Sequence, residues 1–245
     1  MTPPIPSLDT RRSAGFDPTV QPILPGTPLP SLPPECLQLD YIRQAFTHAV
    51  DWQVDPLFAQ AFLPGGAAYA QARQAAVLMP LIQRDQGLRV LFTRRAAHLH
   101  DHAGQISFPG GRIEASDPDP VAAAIRETRE EIGVERQFVH VIGVQPALLT
   151  TTHFLMTPVV GELLPGFHIV ADQAEVAEVF EVPLEVLMDP AQHCLHQLQT
   201  AWGHGRCYFS IRWQSYFIWG ATAILVRNFY HFLAASAGLS GVPRD

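Results

Sequence analysis

Glu127, Glu130 and Glu131 stand at i, i+3 and i+4, behind a Gly110-Gly111 pair, in the stretch 110–134. At about 100° per residue they fall on one side of a helix, opposite Val121, Ile125, Thr128 and Ile132. Like charges at these spacings repel by a few tenths of a kcal/mol per pair, so the trio invites a compensating cation. Several hard oxygen donors suit Mg²⁺ or Mn²⁺, which keep sites open for water and phosphate. A Gly-Gly pair lets main-chain groups approach a metal–phosphate complex without side-chain obstruction. The competing reading is a solvated acidic face laced by Arg126 and Arg129, the commoner case for carboxylates alone. The glycines ahead of the helix tip the balance towards metal-assisted phosphate chemistry.

The helix that must carry these groups is marked at both ends. Asp119 suits the cap, Pro120 the first turn, and Gly133 a left-handed stop. Apolar runs at 75–82 and 88–93, joined through Asp85 and Gly87, predict a strand hairpin. Further strands are expected at 138–144, 156–163 and 208–218, and a second long helix at 222–235. This mixture predicts an α/β (α+β) layered fold with a mixed β-sheet between helices. Residues 1–36 are rich in proline, which favours an extended tail or strap. Its first 35 residues are expected to be dispensable for the chemistry. Leu39, Ile42, Phe46 and Val50 recur at helical spacing within a helical extension, 37–72, ahead of the main domain at 73–238.

Composition excludes several classes. The formal charge is −7 and all sixteen basic residues are arginine, so there is no basic footprint for nucleic acid and no lysine chemistry. Three scattered cysteines, Cys36, Cys194 and Cys207, argue against a disulfide framework and a structural zinc site and fit a cytoplasmic location. Neither a signal peptide nor a membrane span is indicated, since Arg227, Asn228 and His231 interrupt the apolar stretch 213–233. That stretch reads as buried strand and helix. A homodimer is left open. His98, His100 and His102 alternate as zinc ligands can, but a loop or phosphate-contact role is favoured. Trp213, Tyr216, Phe217 and Trp219 read as core.

The run Arg126-Glu127-x-x-Glu130-Glu131-x-Gly133 resembles the core of the Nudix box. That resemblance implies pyrophosphate hydrolysis, with Glu127, Glu130 and Glu131 as metal ligands, a Gly111 carbonyl as another, and Arg126 orienting the carboxylates. Asp117 stands where glutamate is usual, one residue too far from Arg126, and Thr128 takes an apolar position. Upstream, residues 91–111 resemble the additional motif of the coenzyme A pyrophosphatase subfamily. Thr93, Arg95, Gly104 and Phe108-Pro109-Gly110-Gly111 are in register, and His100 replaces an arginine. Segments 157–161, 175–184 and 218–222 are similar to that subfamily too. The resemblance implies a coenzyme A-type nucleotide substrate, cleaved to 3′,5′-ADP and 4′-phosphopantetheine, with Arg95, Arg112 and His100 as phosphate contacts. ADP-ribose hydrolysis and a non-catalytic cofactor sensor are the alternatives. The general base stays open among Glu127, Glu130, Glu131, Glu175 and Glu178.

Overall fold

A strand that is apolar at successive positions is buried on both faces, and residues 75–82 lie at the middle of the fold. The computed structural model describes residues 16–26, 28–62, 65–99, 102–198 and 207–239. In chain order the elements are β1 (Ile23–Leu24), α1 (Leu39–Thr47), α2 (Gly66–Ala70), β2 (Arg73–Arg84), β3 (Gly87–Arg95), β4 (Ile106–Ser107), β5 (Gly110–Arg112) and α3 (Pro120–Ile132). There follow β6 (Val139–Val144), β7 (Leu148–Leu149), β8 (Phe154–Leu163), β9 (Val176–Pro183), α4 (Leu184–Leu187), β10 (Cys194–Gln197), β11 (Cys207–Trp213), β12 (Tyr216–Trp219) and α5 (Ala221–Ser236).

The larger sheet runs β4-β3-β2-β8-β6, with β5 beside β2, β7 beside β8 and β9 beside β3. Only β2 and β8 pair in parallel, so the sheet is mixed, as the order of elements predicts. Side chains alternate along β2. Ala76, Leu78 and Ile82 pack with Ala123, Ala124, Ile125 and Ile132 of α3. Val77, Met79 and Leu81 pack on the other face with Leu225, Phe229 and Leu233 of α5 and Ile42 of α1. Each large apolar side chain buried this way contributes about 1.5–3 kcal/mol before entropy is counted. The helix carrying the glutamates is thus held by one face of the central sheet.

A second sheet, β1-β10-β11-β12, was not foreseen as such. The single strand expected over 208–218 is a hairpin of β11 and β12, turning through Gln214 at φ 52°. No Gly or Asn-Gly marks that turn in the sequence, so the usual local signal is missing. The described part of the proline-rich strap, from residue 16 onward, docks here. β1 pairs with β10, the Tyr208 hydroxyl donates to Pro18 O at 2.7 Å, and the Tyr230 hydroxyl donates to Pro30 O. Leu24, Leu29 and Leu32 pack against the core beneath α5. Proline allows these contacts in the described part of the strap because it blocks helix but leaves its carbonyls free as acceptors.

The residues before β2 are joined to α5 by buried polar groups. Arg227 Nε donates to Asp55 Oδ2 at 2.5 Å, His231 Nε2 lies 3.3 Å from the same oxygen, and Asp55 N donates to Asn228 Oδ1. His193 Nε2 lies 2.7 Å from Leu187 O, leaving Nδ1 to accept from Arg227 Nη1. Burial, with Arg227 and His231 close by, pushes His193 down to about 4. Burial alone would raise Asp55, but His231, Arg227 and the Leu57 N–H outweigh it and hold the carboxyl at about 2.

A histidine with a lowered folded-state pKa stabilises the fold above its unfolded value of about 6.5, and that contribution drains away as pH falls towards 4. Asp55 loses its own contribution only at lower pH, between about 4 and 2. Thermal melts from pH 8 to pH 4 should show a fall that is shallower in His193→Gln, by up to one proton, or about 1.4 kcal/mol per pH unit. Parallel curves for the two proteins would remove His193 from the junction's acid response.

Candidate active site

α3 starts and stops where its sequence dictates. Asp119 Oδ1 accepts from Ala122 N at 2.8 Å, Pro120 occupies the first turn, and Gly133 closes the helix at φ 73° with its N–H on Arg129 O. Thr128 is buried, and its hydroxyl is satisfied within the helix by Ala124 O at 2.6 Å.

Arg126 organises the acidic groups. Its Nε and Nη2 donate to the two oxygens of Asp117 at 3.1 and 2.8 Å, and Nη2 also reaches Arg112 O at 2.9 Å. Nη1 donates to Glu127 Oε1 at 3.0 Å and to Glu130 Oε2 at 2.9 Å. Asp117 in turn accepts from Glu114 N, so its carboxylate is fixed from both sides. The Arg126 bonds hold the Asp117 carboxyl below the usual range, and Asp117 raises Arg126 far above its own. Asp117, whose type and spacing depart from the box, is thus the anchor of the guanidinium.

The three glutamates do not converge as the helical projection predicts. Arg126 itself supplies the local positive charge between Glu127 and Glu130, and Glu131 turns beneath the glycine loop, 5% exposed, where Oε2 accepts from Gly110 N at 3.2 Å. Among the described residues no three His, Cys, Asp or Glu side chains surround one point. The projection misses this because it treats the side opposite the core as solvent, whereas β5 covers part of it.

Close approach of β5 depends on both glycines. A Cβ on Gly111 would lie 2.5 Å from the Glu127 carboxyl. One on Gly110 would strike Ala76 O and Val77, and Gly110 sits at φ 153°. The Glu127 carboxylate therefore rests on the main chain of Gly111. Burial raises Glu127, opposed by Arg126. Burial pushes Glu131 up to about 8, helped by Glu127 and Glu175 and opposed by Gly110 N–H and Arg95. A buried carboxyl crowded by carboxylates against a glycine main chain is a set of hard oxygen donors short of positive charge. That chemistry fits Mg²⁺ or Mn²⁺.

The other predicted residues are placed unequally. Arg95 ends β3, at the point where pairing with β9 changes register. Its charge acts on Glu131, and among the described residues its Nε is buried without a partner. Arg112 gives Arg126 its carbonyl, while its guanidinium lies 5.8 Å from the Phe154 ring centre. His100 lies outside the described residues, and His102 Nδ1 is 2.7 Å from Gln105 Oε1. Glu178 accepts from the Tyr216 hydroxyl at 2.6 Å and pairs with Arg94 at 3.1 Å, which spends it structurally. Glu175 remains within charge reach of Glu127 and Glu131, and its carbonyl accepts from Ala96 N. Sequence reasoning missed Arg73, whose guanidinium shares Phe154 with Arg112.

A family model described as NUDIX domain matches residues 72–201. The chain is 42% identical over 157 residues to the uncharacterized Nudix hydrolase NudL of Enterobacter sp. (strain 638), covering 64% of this chain and 80% of that protein. It is 45% identical over 158 residues to the protein of the same name from Citrobacter koseri, with the same coverage. Solved structures similar to it include RenU, a Nudix hydrolase from M. smegmatis, at 25% identity and TM-score 0.40, covering 48% of this chain and 74% of that one. Another is the NUDIX domain of Shewanella oneidensis NrtR complexed with ADP ribose, at 20% identity and TM-score 0.37, covering 49% and 79%.

Two outcomes follow from this geometry. Gly111→Ala should displace the Glu127 carboxylate and lower turnover by about 10-fold or more, with less effect on melting temperature than on rate; unchanged turnover would detach Glu127 from the loop. A carboxyl whose folded pKa is raised costs stability progressively as pH climbs from its unfolded value of about 4.3 through its folded one. In chelator at pH 8, Glu131→Gln should therefore melt above the parent, by up to a few kcal/mol, and the gap should close towards pH 5.

Proposed function

The chain belongs to the Nudix family, and from that premise we propose that it hydrolyses coenzyme A and its thioesters to 3′,5′-ADP and 4′-phosphopantetheine or acyl-phosphopantetheine. It is a hydrolase of phosphoric anhydride bonds, and Nudix hydrolases act on nucleoside diphosphate derivatives with divalent ions such as Mg²⁺ or Mn²⁺. The observation that carries the reading to coenzyme A is the segment 91–111, which resembles the additional motif of the coenzyme A pyrophosphatases and contributes Arg95 beside Glu131. Its Nε, without a partner among the described residues, supports a role as donor to an anion.

Glu127, Glu131 and the Gly111 carbonyl would hold the ion, with Glu130 at the more open side. When bound, the divalent ion polarises phosphoryl oxygens and lowers the pKa of water. Arg126, clamped by Asp117, keeps Glu127 and Glu130 in fixed rotamers, so little reorganisation is needed at the moment of reaction. Arg95 supplies charge-assisted bonds to the pyrophosphate beside the buried carboxyl. Glu175 supports a base role better than Glu178, since Glu178 is already engaged. The intact glutamates and their clamp favour catalysis over a purely sensing role. Among the described residues no helix is long and apolar enough to cross a membrane.

Activity should vanish in EDTA and return with Mg²⁺ or Mn²⁺; full turnover in chelator would end the metal mechanism. With coenzyme A, dephospho-coenzyme A, ADP-ribose, diadenosine tetraphosphate and NADH compared by product analysis, kcat/KM should be highest for coenzyme A. A faster reaction with ADP-ribose would overturn the substrate and leave the family chemistry standing. Glu131→Gln should lower the rate by about 10² or more. Arg95→Ala should reduce kcat/KM by about 10–100-fold on coenzyme A and dephospho-coenzyme A alike, as expected of a pyrophosphate contact.

A further inference from the structure

Arg73 and Arg112 lie 39 positions apart in the chain and approach the same Phe154 ring in the fold. Strand register brings this about: Ala75 faces Arg112 across β2 and β5, and Arg73 faces Phe154 across β2 and β8. Paired residues share a face, and so do residues two apart on one strand, so Arg73, Arg112 and Phe154 emerge together at one end of the sheet. Their guanidinium carbons lie 4.0 and 5.8 Å from the centre of the same Phe154 ring. Arg73 Nη2 also donates to Thr152 O at 3.2 Å.

Among the described residues neither guanidinium meets a carboxylate, nor do those of Arg89, Arg95, Arg136 and Arg212, whereas Arg43, Arg84, Arg94, Arg126, Arg129 and Arg227 each do; what sets Arg73 and Arg112 apart is that they share one aromatic ring. The chain carries 23 acidic residues against 16 basic ones, so acidic partners are not scarce. Two cations gathered on one ring repel each other, and cation–π contact at an exposed site returns only about 0.5–1 kcal/mol each. An anion between them would relieve the repulsion, and planar guanidinium forks match phosphate oxygens two at a time. The Arg112 side chain leaves β5 on the face opposite α3, and the pair is tied to the candidate active site through the β5 main chain. Arg112 follows Gly111, on which Glu127 rests, and its carbonyl is held by Arg126.

We propose that Arg73 and Arg112 form a subsite for a phosphate monoester on the ribose of the substrate, next to the pyrophosphate that is cut. The assignment rests on reading the chain as a hydrolase of nucleoside diphosphate derivatives. A ribose phosphate monoester leaves the sugar to the side of the 5′-pyrophosphate, so a nucleotide with its pyrophosphate at Gly110-Gly111 can turn that second anion towards the neighbouring arginines. The monoester can stand on the 3′-oxygen, as in coenzyme A, or on the 2′-oxygen. Arg95 serves the pyrophosphate and Arg73 with Arg112 the monoester.

Calorimetric binding of 3′,5′-ADP, 2′,5′-ADP and 5′-AMP to the full chain tests this directly. The parent protein should bind 3′,5′-ADP about 10-fold or more tightly than 5′-AMP. An Arg73→Gln/Arg112→Gln double variant should lose that ratio, the single variants should each lose part of it, and Arg129→Gln should keep it. The same dependence with 2′,5′-ADP as the tighter ligand would retain the subsite and assign it to the 2′-phosphate. A parent protein that fails to separate the ligands, or a double variant that still separates them, would overturn the subsite. Coenzyme A cleavage with no such ratio would sink the subsite alone, and a ratio that depends on the arginines in an enzyme cleaving only ADP-ribose would sink the coenzyme A reading alone.

Discussion

A carboxylate can lie against main chain only where no side chain intervenes, and the site hangs on that constraint at Gly110 and Gly111. Glu127 fills the space a Cβ of Gly111 would take, and Glu131 is buried where it accepts from Gly110 N. Desolvation there makes the charged form of Glu131 costly, which is the electrostatic condition for drawing in a divalent ion.

The approach is secured from two directions. β5 pairs with β2 through Ala75, Ala76 and Val77, and α3 packs on the same strand through small residues, Ala123 and Ala124, that let the helix sit close. The Asp117–Arg126 clamp then joins the turn before the helix to the helix itself and to Arg112 O. Pairing of this kind near the surface is worth little as bulk stability. Its effect is to limit the rotamers of Glu127 and Glu130, and so to trade side-chain freedom for order before any substrate arrives.

Away from the glutamates, residues 18–55 are bound to β11 and to α5. The strap offers carbonyls to Tyr208 and Tyr230, and Asp55 meets Arg227 and His231 of α5 in the interior. Buried ion pairs seldom add net stability over apolar packing, but removal of one partner leaves a costly charge. Segments remote from the candidate active site are therefore coupled to the integrity of the sheet that holds it.

Much was legible in the amino-acid sequence, wherever the cause is local. The caps of α3 at Asp119 and Gly133, the alternation of β2 and β3, the lack of lysine and the Nudix-box spacing all follow from near neighbours, and the structure contains the corresponding elements. The sequence could place three glutamates on one side of a helix but not say what covers that side. Tertiary structure decided that Arg126 stands between Glu127 and Glu130, that Glu131 is buried, that Asp117 is an anchor despite its shifted position, and that Arg73 and Arg112 share the Phe154 ring. It also decided that 208–218 is a hairpin and that the described part of the strap is docked. Each of these depends on strand register and on contacts between residues far apart in the chain, which helical and strand periodicity do not encode.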